Sequence, residues 1–403
     1  MLELEHALEK ILQSIPAARS ERIPLGEAYK RVLAEPVVAE VDLPPFDNSS
    51  VDGYAVRAQN VVQASSQKPV ALTLAGKVAA GENFDGELSQ GQCIRIFTGS
   101  PLPAGADAVV MQEDTKLDSA RPSEVCFLDS AKPWENVRFR GEDMKCGRTI
   151  ALRGEILGTA HLGLLAATGS VHVHAGRRPS VALIATGSEL QEPASTAKLA
   201  PGQIFESNRA ALAPLIAGAG GVPRAFPIVP DDPKVTSEVL TRALSECDLV
   251  VTCGGVSVGE MDFVKSAFEE LGGQLEFWKV AIKPGRPFVF GRKGDKLLFG
   301  LPGNPVSAFV TFLLLVRPAI LRWQGAERTG LMVSTGILAE PLSNQGGRRH
   351  FVRVMVDTKG DVRSSGTQAS HFLSSLAMAQ GLVDLPPEST LAAGTKVEVL
   401  RWE

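Results

Sequence analysis

Between residue 177 and about residue 324, short apolar runs alternate with amphipathic stretches. The runs at 180–186, 224–229, 248–252, 275–283 and 296–300 are short and rich in apolar residues, as strands are. The stretches at 208–217, 233–245, 262–271 and 305–322 repeat apolar residues at helical spacing. This rhythm predicts a doubly wound α/β unit, a parallel sheet with helices on both faces. The rest of the chain is patterned differently. Residues 1–43 read as helical and then extended. Residues 44–135 are punctuated by Gly and Pro, with short strands such as 70–78 and 93–98. Residues 136–176 are mixed, with a helix over 158–168, and 325–403 return to short strands and turns. The expected class is therefore multidomain α/β plus β. Its parts are residues 1–43, a β-rich domain (44–135), the mixed stretch 136–176, the α/β domain (177–324) and a small C-terminal β domain (325–403).

A chain of 403 residues with 44% hydrophobic residues has enough material for two to four cores. Its 41 basic and 45 acidic side chains give a net charge of −4, so charge suggests neither nucleic acid nor a membrane surface as partner. The acidic, helix-like start MLELEHALEK is unlike a signal peptide, and the apolar run 309–316 is too short to span a bilayer. Five scattered cysteines without a CxxC pair fit a reducing cytoplasm better than a disulfide framework or a zinc cage.

Ligands of open α/β sheets bind outside the carboxyl ends of the strands. The segments that follow the predicted strands are Gly187-Ser188-Glu189, Pro230-Asp231-Asp232, 254–262 and Leu301-Pro302-Gly303-Asn304-Pro305. They should share one rim carrying carboxylates (Glu189, Asp231, Glu260, Asp262), small hydroxyls (Ser188, Ser257) and free backbone N–H groups. Gly254 and Gly255 permit a tight turn, and a helix start after Gly259 would add an anion-binding end. An ordinary strand–helix turn with Asp262 as cap has the same composition. Asn304 followed by Pro305 likewise reads as plain capping.

The segment FWKVAIKPGRP, 277–287, adds cations. As a continuous strand it would place Lys279, Ala281 and Lys283 on one face, the lysines about 13 Å apart, with Arg286 presented after a Pro-Gly turn. Cations beside a buried sheet are costly without partners, so this is either a solvated edge strand or a site for an anionic ligand. Facing carboxylates would then hold a metal or activate water. No P-loop, dinucleotide fingerprint or GxSxG elbow is present. His172 and His174 lack a third ligand nearby, and Cys253 lacks a neighbouring histidine; all three read as structural.

Seven stretches in order carry a resemblance. They are PPFDNSSVDGYAV (44–56), RIFTGSPLPAGADAVV (95–110), RFRGEDMKCG (138–147), VALIATGSEL (181–190), VTCGGVSVGEMDFVK (251–265), FWKVAIKPGRP and GLPGNPVSAFVTF (300–312). Together they resemble the molybdopterin molybdenumtransferase family of bacterial MoeA and the gephyrin E domain, over essentially the whole chain. The resemblance implies a transferase that inserts molybdate into adenylylated molybdopterin with release of AMP, using Mg2+. It implies four parts: a linking domain made of 1–43 with 136–176, the β-rich domain, an α/β domain similar to the molybdopterin adenylyltransferases, which act one step upstream, and a C-terminal β-barrel-like domain. It also implies a homodimer whose clefts are shared between subunits. By position it implies catalytic roles for Asp52, Asp143, Glu189, Asp231, Asp262, Lys279 and Lys283, with Glu189, Asp231 and Asp262 toward the metal. Thr98, Ser188, Gly254, Gly255, Ser257, Gly259, Arg286, Pro302, Gly303, Asn304, Arg349 and Ser370 are the implied substrate contacts. Arg286 stands where many members carry Lys, and Val51 where Met is frequent. A molybdopterin adenylyltransferase would leave 44–135 and 325–403 without a role. A non-catalytic cofactor-binding scaffold would not need the full carboxylate set.

Overall fold

The structure, a computed structural model, describes residues 1–117, 120–193, 198–255 and 263–402. Its centre is a six-stranded sheet in the order Val222–Ala225, Ser180–Ala185, Leu249–Cys253, Lys296–Leu301, Pro287–Lys293, Gln274–Lys279. The first four strands are parallel, as the alternating pattern predicts. Pro287–Lys293 runs antiparallel to both of its neighbours, so the sheet is mixed rather than wholly parallel. That strand was hidden in the sequence because only the two-residue turn Gly294-Asp295 separates it from the next. Helices cover both faces. Leu4–Gln13, Asn208–Gly218 and the helical run Pro305–Trp323 pack on one side around Leu183, Val251, Phe299 and Phe312. Pro233–Glu246 and Phe263–Glu270 cover the other, around Ile184, Val250 and Phe268. Pro305–Trp323 is apolar and long enough to span a bilayer, but most of it is buried in this core. The N-terminal helix contributes Leu4, Ala7 and Ile11, so the first segment of the chain is anchored in the α/β unit.

The β-rich part is a six-stranded sheet spanning strands from Gly53–Val56 to Glu124–Phe127, with buried apolar residues on both faces. At the C-terminal end, Arg349–Val356, Asp361–Ser364, Met332–Leu338, Lys396–Arg401 and Gly381–Leu385 pair in a ring that returns to Arg349–Val356. This closed five-stranded barrel leaves no free edge among these strands and packs Leu338, Val352, Val354 and Val399 inside.

The predicted strand 275–283 is not one strand. It ends at Lys279, and Ile282–Lys283 joins the barrel instead, beside Arg349 and His350. Between them the Ile282 N–H donates to the Val280 carbonyl at 2.9 Å, a tight turn that reverses the alternation. Lys279, Ala281 and Lys283 therefore do not share a strand face. Ala281 is buried, Lys279 is half-buried and Lys283 is exposed.

Candidate active site

In the central sheet, chain order reverses between Ser180–Ala185 and Leu249–Cys253, and an open α/β sheet has its binding crevice at such a switch point. The two loops there interlock. The Thr186 N–H donates to the Cys253 carbonyl at 2.9 Å, and a Cβ at Gly254 would lie 2.5 Å from the Thr186 carbonyl oxygen. Gly254 has φ +93° and Gly255 φ +62°, so backbone conformation and space both require glycine. A Cβ added at Gly303 would lie 3.7 Å from the Gly254 Cα, so a third loop adjoins the rim. The Gly254 N–H is used on the Leu301 carbonyl. Those of Gly255, Gly303 and Asn304 make no hydrogen bond among the described residues.

Asp231 and Ser188 are locked reciprocally. The Ser188 N–H donates to Asp231 Oδ2 at 3.1 Å, and the Asp231 N–H donates to Ser188 Oγ at 2.9 Å. The adjacent Asp232 caps the helix Pro233–Glu246, accepting from the Val235 N–H at 2.9 Å. The pair thus divides its work, one carboxylate on the scaffold and one on the rim. Glu189, next to Ser188, is exposed and curls over Gly187. Asn304 sits at a helix N-cap position but its side chain makes no cap hydrogen bond, contrary to the plain-capping reading. It is exposed at the rim. Pro302 is buried behind it. Asp262, Ser257 and Gly259, with Glu260, lie outside the described residues.

The cations lie at the same end of the sheet. Gln274–Lys279 runs in the direction of the parallel strands because the antiparallel Pro287–Lys293 lies between it and Lys296–Leu301. Lys279 therefore ends on the carboxyl rim. Lys279, Lys283 and Arg286 make no ion pair or side-chain hydrogen bond among the described residues. A fourth cation joins them from the barrel. Arg348 donates to the Ile282 carbonyl at 3.0 Å, and burial together with the nearby Arg286 lowers its pKa. His350 is buried, and neither ring nitrogen has a hydrogen-bond partner among the described residues. Burial first, then Lys283, Arg353 and Arg348, push its pKa down to about 4, so the imidazole is neutral near pH 7.

Arg349 is different. It forms a forked pair with Asp384 and a second pair with Glu5, which raise its pKa. Its charge is already compensated, so of the two arginines in GGRRHF the one without an ion pair among the described residues is Arg348. Ser370 is half-buried, and its carbonyl accepts from the Val306 N–H at 3.2 Å. This bond holds the barrel loop against the helix that starts at the rim.

A second group sits in and beside the β-rich sheet. The Thr98 N–H and Oγ1 both donate to Asp52 Oδ1 at 2.8 Å. These two bonds, with a smaller contribution from Arg95, lower the Asp52 pKa and keep it ionised. The Arg95 guanidinium lies 5.0 Å from the centres of both the Tyr54 and Phe97 rings. Asp143 sits in a loop fastened by other carboxylates. Asp42 accepts from Arg140 Nε at 2.5 Å and the Cys146 N–H at 2.8 Å, and Asp47 accepts from the Arg140 N–H at 2.7 Å. The Asp143 carboxylate is left exposed without a partner among the described residues. No hydrogen bond or ion pair joins Asp52, Thr98 or Asp143 to the glycine-loop rim among the described residues.

Cys253 is fully buried and its thiol pKa is raised by that burial, so it is a packed side chain. His172 and His174 are exposed on one face of a strand without a third ligand among the described residues.

Comparison with known proteins agrees with this architecture. Residues 2–169 match the MoeA N-terminal region (domain I and II), 182–322 the Probable molybdopterin binding domain, and 335–402 the MoeA C-terminal region (domain IV). The Molybdopterin molybdenumtransferase of Haemophilus influenzae is 36% identical, over 99% of this chain and 98% of that protein. This chain belongs to the molybdopterin molybdenumtransferase (MoeA) family. Molybdopterin molybdenumtransferase 2 of Mycobacterium tuberculosis is 39% identical, over 98% of this chain and 97% of its own. The crystal structure of the molybdopterin biosynthesis MoeA protein of Pyrococcus horikoshii OT3 superposes with a TM-score of 0.85 at 34% identity, covering 100% of both chains.

Within this MoeA-family chain, the structure brings Ser188, Glu189, Asp231, Gly254, Gly255, Gly303 and Asn304 to one rim, with Lys279 at its side. Sequence reasoning missed three residues of this region. Arg348 was masked by its neighbour, and only the three-dimensional pairing of Arg349 separates them. His350 had no motif. Asn208, which donates to the Gly303 carbonyl at 2.9 Å, looked like an ordinary first-turn residue.

Proposed function

We propose that this chain inserts molybdenum from molybdate into adenylylated molybdopterin, releasing AMP, in the synthesis of molybdenum cofactor. The observation that carries the reading is the set of uncompensated cations, Lys279, Lys283, Arg286 and Arg348, beside a rim of carboxylates and free backbone N–H groups. Both substrates are anionic, molybdate as the metal source and the adenylate through its phosphates. A unit charge pair at 4 Å contributes roughly 4 kcal/mol at an effective dielectric of about 20. Two or three such pairs suit capture of a small oxyanion. Membership of a family whose relatives bear this name supports the same reading.

The glycine loop at 254–255 lets a phosphate or the pterin approach the backbone closely, and the free N–H groups of Gly255, Gly303 and Asn304 meet its oxygens. Glu189 and Asp231 form the described part of a carboxylate donor set suited to Mg2+, a hard cation that keeps several waters and needs only one or two protein carboxylates. Asp262 would complete that set. Bound there, Mg2+ would neutralise phosphate charge as the adenylate bond is broken. Ser188, fixed by Asp231, orients that carboxylate toward the rim.

Asp52, Thr98 and Asp143 lie outside this rim within one chain. We place them in the cleft of a symmetric homodimer, in which the β-rich domain of one subunit faces the α/β rim of the other. A soluble enzyme of the cytoplasm, receiving adenylylated molybdopterin from a molybdopterin adenylyltransferase, fits this role. The test is direct. Purified protein given adenylylated molybdopterin, Mg2+ and molybdate should release AMP in step with formation of molybdenum cofactor. Consumption of ATP with adenylylation of free molybdopterin would overturn the assignment in favour of the upstream reaction.

A further inference from the structure

The cations at the cleft have a companion in the interior. Arg353 is completely buried in the strand Arg349–Val356 and is among the largest fully buried side chains of the chain. Buried arginines elsewhere are neutralised. Arg209, for example, is held by Glu206 at 2.9 Å and Glu192 at 2.6 Å. Arg353 makes no ion pair among the described residues, and burial lowers its pKa. Its Nη1 has no hydrogen-bond partner among the described residues. An unpaired buried cation is costly, so its retention calls for a use.

Its hydrogen bonds all go to one short loop and the helix that follows. Nη2 donates to the Thr367 carbonyl at 2.7 Å and the Ala369 carbonyl at 3.3 Å. Nε and Nη2 meet Ser375 Oγ at 3.2 and 2.9 Å. The backbone of Arg353 holds the same loop. Its N–H donates to Gln368 Oε1 at 2.9 Å and its carbonyl accepts from Gln368 Nε2 at 3.0 Å and the Ser365 N–H at 3.0 Å. The next residue along the loop is Ser370, whose carbonyl accepts the Val306 N–H at the start of the rim helix.

We propose that Arg353 is a positioning residue. Its guanidinium organises loop 366–370 by its carbonyls and so sets Ser370 and the barrel against the substrate cleft. The planar fork suits this task, because one group reaches two carbonyls and a hydroxyl at fixed angles, which an ammonium cannot do. The proposal rests on the reading of Ser370 as a substrate contact.

The test uses the full-length protein in three variants, Arg353→Lys, Ser375→Ala and Ser370→Ala. Hydrogen exchange of peptides covering 366–371 reports the loop without reference to activity. Insertion kinetics with molybdate varied report KM and kcat separately. Arg353→Lys should speed exchange of the loop about tenfold or more and raise KM for molybdate several-fold, with kcat changed less. Ser375→Ala, a milder change that removes only the hydroxyl, should do both to a smaller extent and keeps the test open if the lysine variant unfolds. In a Ser370→Ala background, Arg353→Lys should add little to KM. Wild-type exchange in the loop of a folded Arg353→Lys protein would overturn the proposal, and so would a lowered Tm with unchanged KM. If Ser370→Ala alone leaves KM unchanged, the substrate role of Ser370 falls, while faster loop exchange in Arg353→Lys still supports its hold on the loop.

Discussion

Arg349 and the stretch 279–286 meet at the start of the same barrel strand, yet they treat charge in opposite ways. Arg349 is forked onto Asp384 and tied to Glu5, so it joins the barrel to the N-terminal helix. Lys279, Lys283 and Arg286 have no counter-charge among the described residues. The same division recurs among the acids. Asp42 and Asp232 are used on the scaffold, whereas Asp143 has no side-chain partner among the described residues and Asp231 lies at the rim. A paired charge is part of the structure, and the unpaired ones at the rim are those that the proposed function assigns to a ligand. Motif position alone does not make this distinction; hydrogen-bond partners do.

The largest expected effect tests the sharing of the cleft. Asp52→Ala and Lys279→Ala subunits should each be inactive alone. In a mixed dimer one cleft carries both changes and the other neither, so activity should return to about half of wild type per heterodimer. Correctly folded heterodimers without recovery would return Asp52 to a role within its own chain. Next in size is the contrast of Asp231→Asn with Asp232→Asn. The first should reduce kcat by about a hundredfold, in the range usual for a positioned group of the reacting site. The second should be nearly silent, because Asn is as good an N-cap as Asp. Equal losses would mean that both carboxylates are structural.

Arg348→Ala and Arg349→Ala sharpen the comparison further. Loss of a charge-assisted contact of about 1.5–3 kcal/mol should raise KM for molybdate by about ten- to a hundredfold in Arg348→Ala. Arg349→Ala should instead lower Tm by a few degrees and leave KM close to wild type, since it strands Asp384 and Glu5. Exchanged phenotypes would show that the pairing does not mark the scaffold. The smallest effect is one of pH. His350 has a folded pKa lowered from 6.5 to about 4, so the unfolded chain takes up its proton first as pH falls. Its contribution to stability is full above pH 6.5 and is lost between 6.5 and about 4, with a slope no steeper than about 1.4 kcal/mol per pH unit. His350→Leu should flatten the acid side of the stability curve by that much, and an unchanged slope would count against a buried neutral imidazole.

Much of this was legible in the chain. Strands of the parallel core announced themselves because both faces are covered and their residues are almost wholly apolar, as in LVVTC at Leu249–Cys253. The glycines at 254 and 255 were readable because their backbone tolerates no side chain. The lysine segment misled. Its alternation suits a strand, but Val280, Ala281 and Ile282 are all buried where the chain crosses between two sheets, and no local signal reports such a crossing. The distinction between Arg348 and Arg349 was illegible for a related reason. It depends on Asp384 and Glu5, which are far away in sequence and adjacent only after folding.

In the proposed function the unpaired cations capture the metal oxyanion. That capture is tested most directly by molybdenum insertion in Lys279→Ala and Lys283→Ala, measured across molybdate concentrations from limiting to saturating, with melting temperatures recorded alongside. Both variants should keep the wild-type Tm and lose insertion steeply at limiting molybdate, with partial recovery as molybdate rises. Near-wild-type rates at limiting molybdate in both would contradict it.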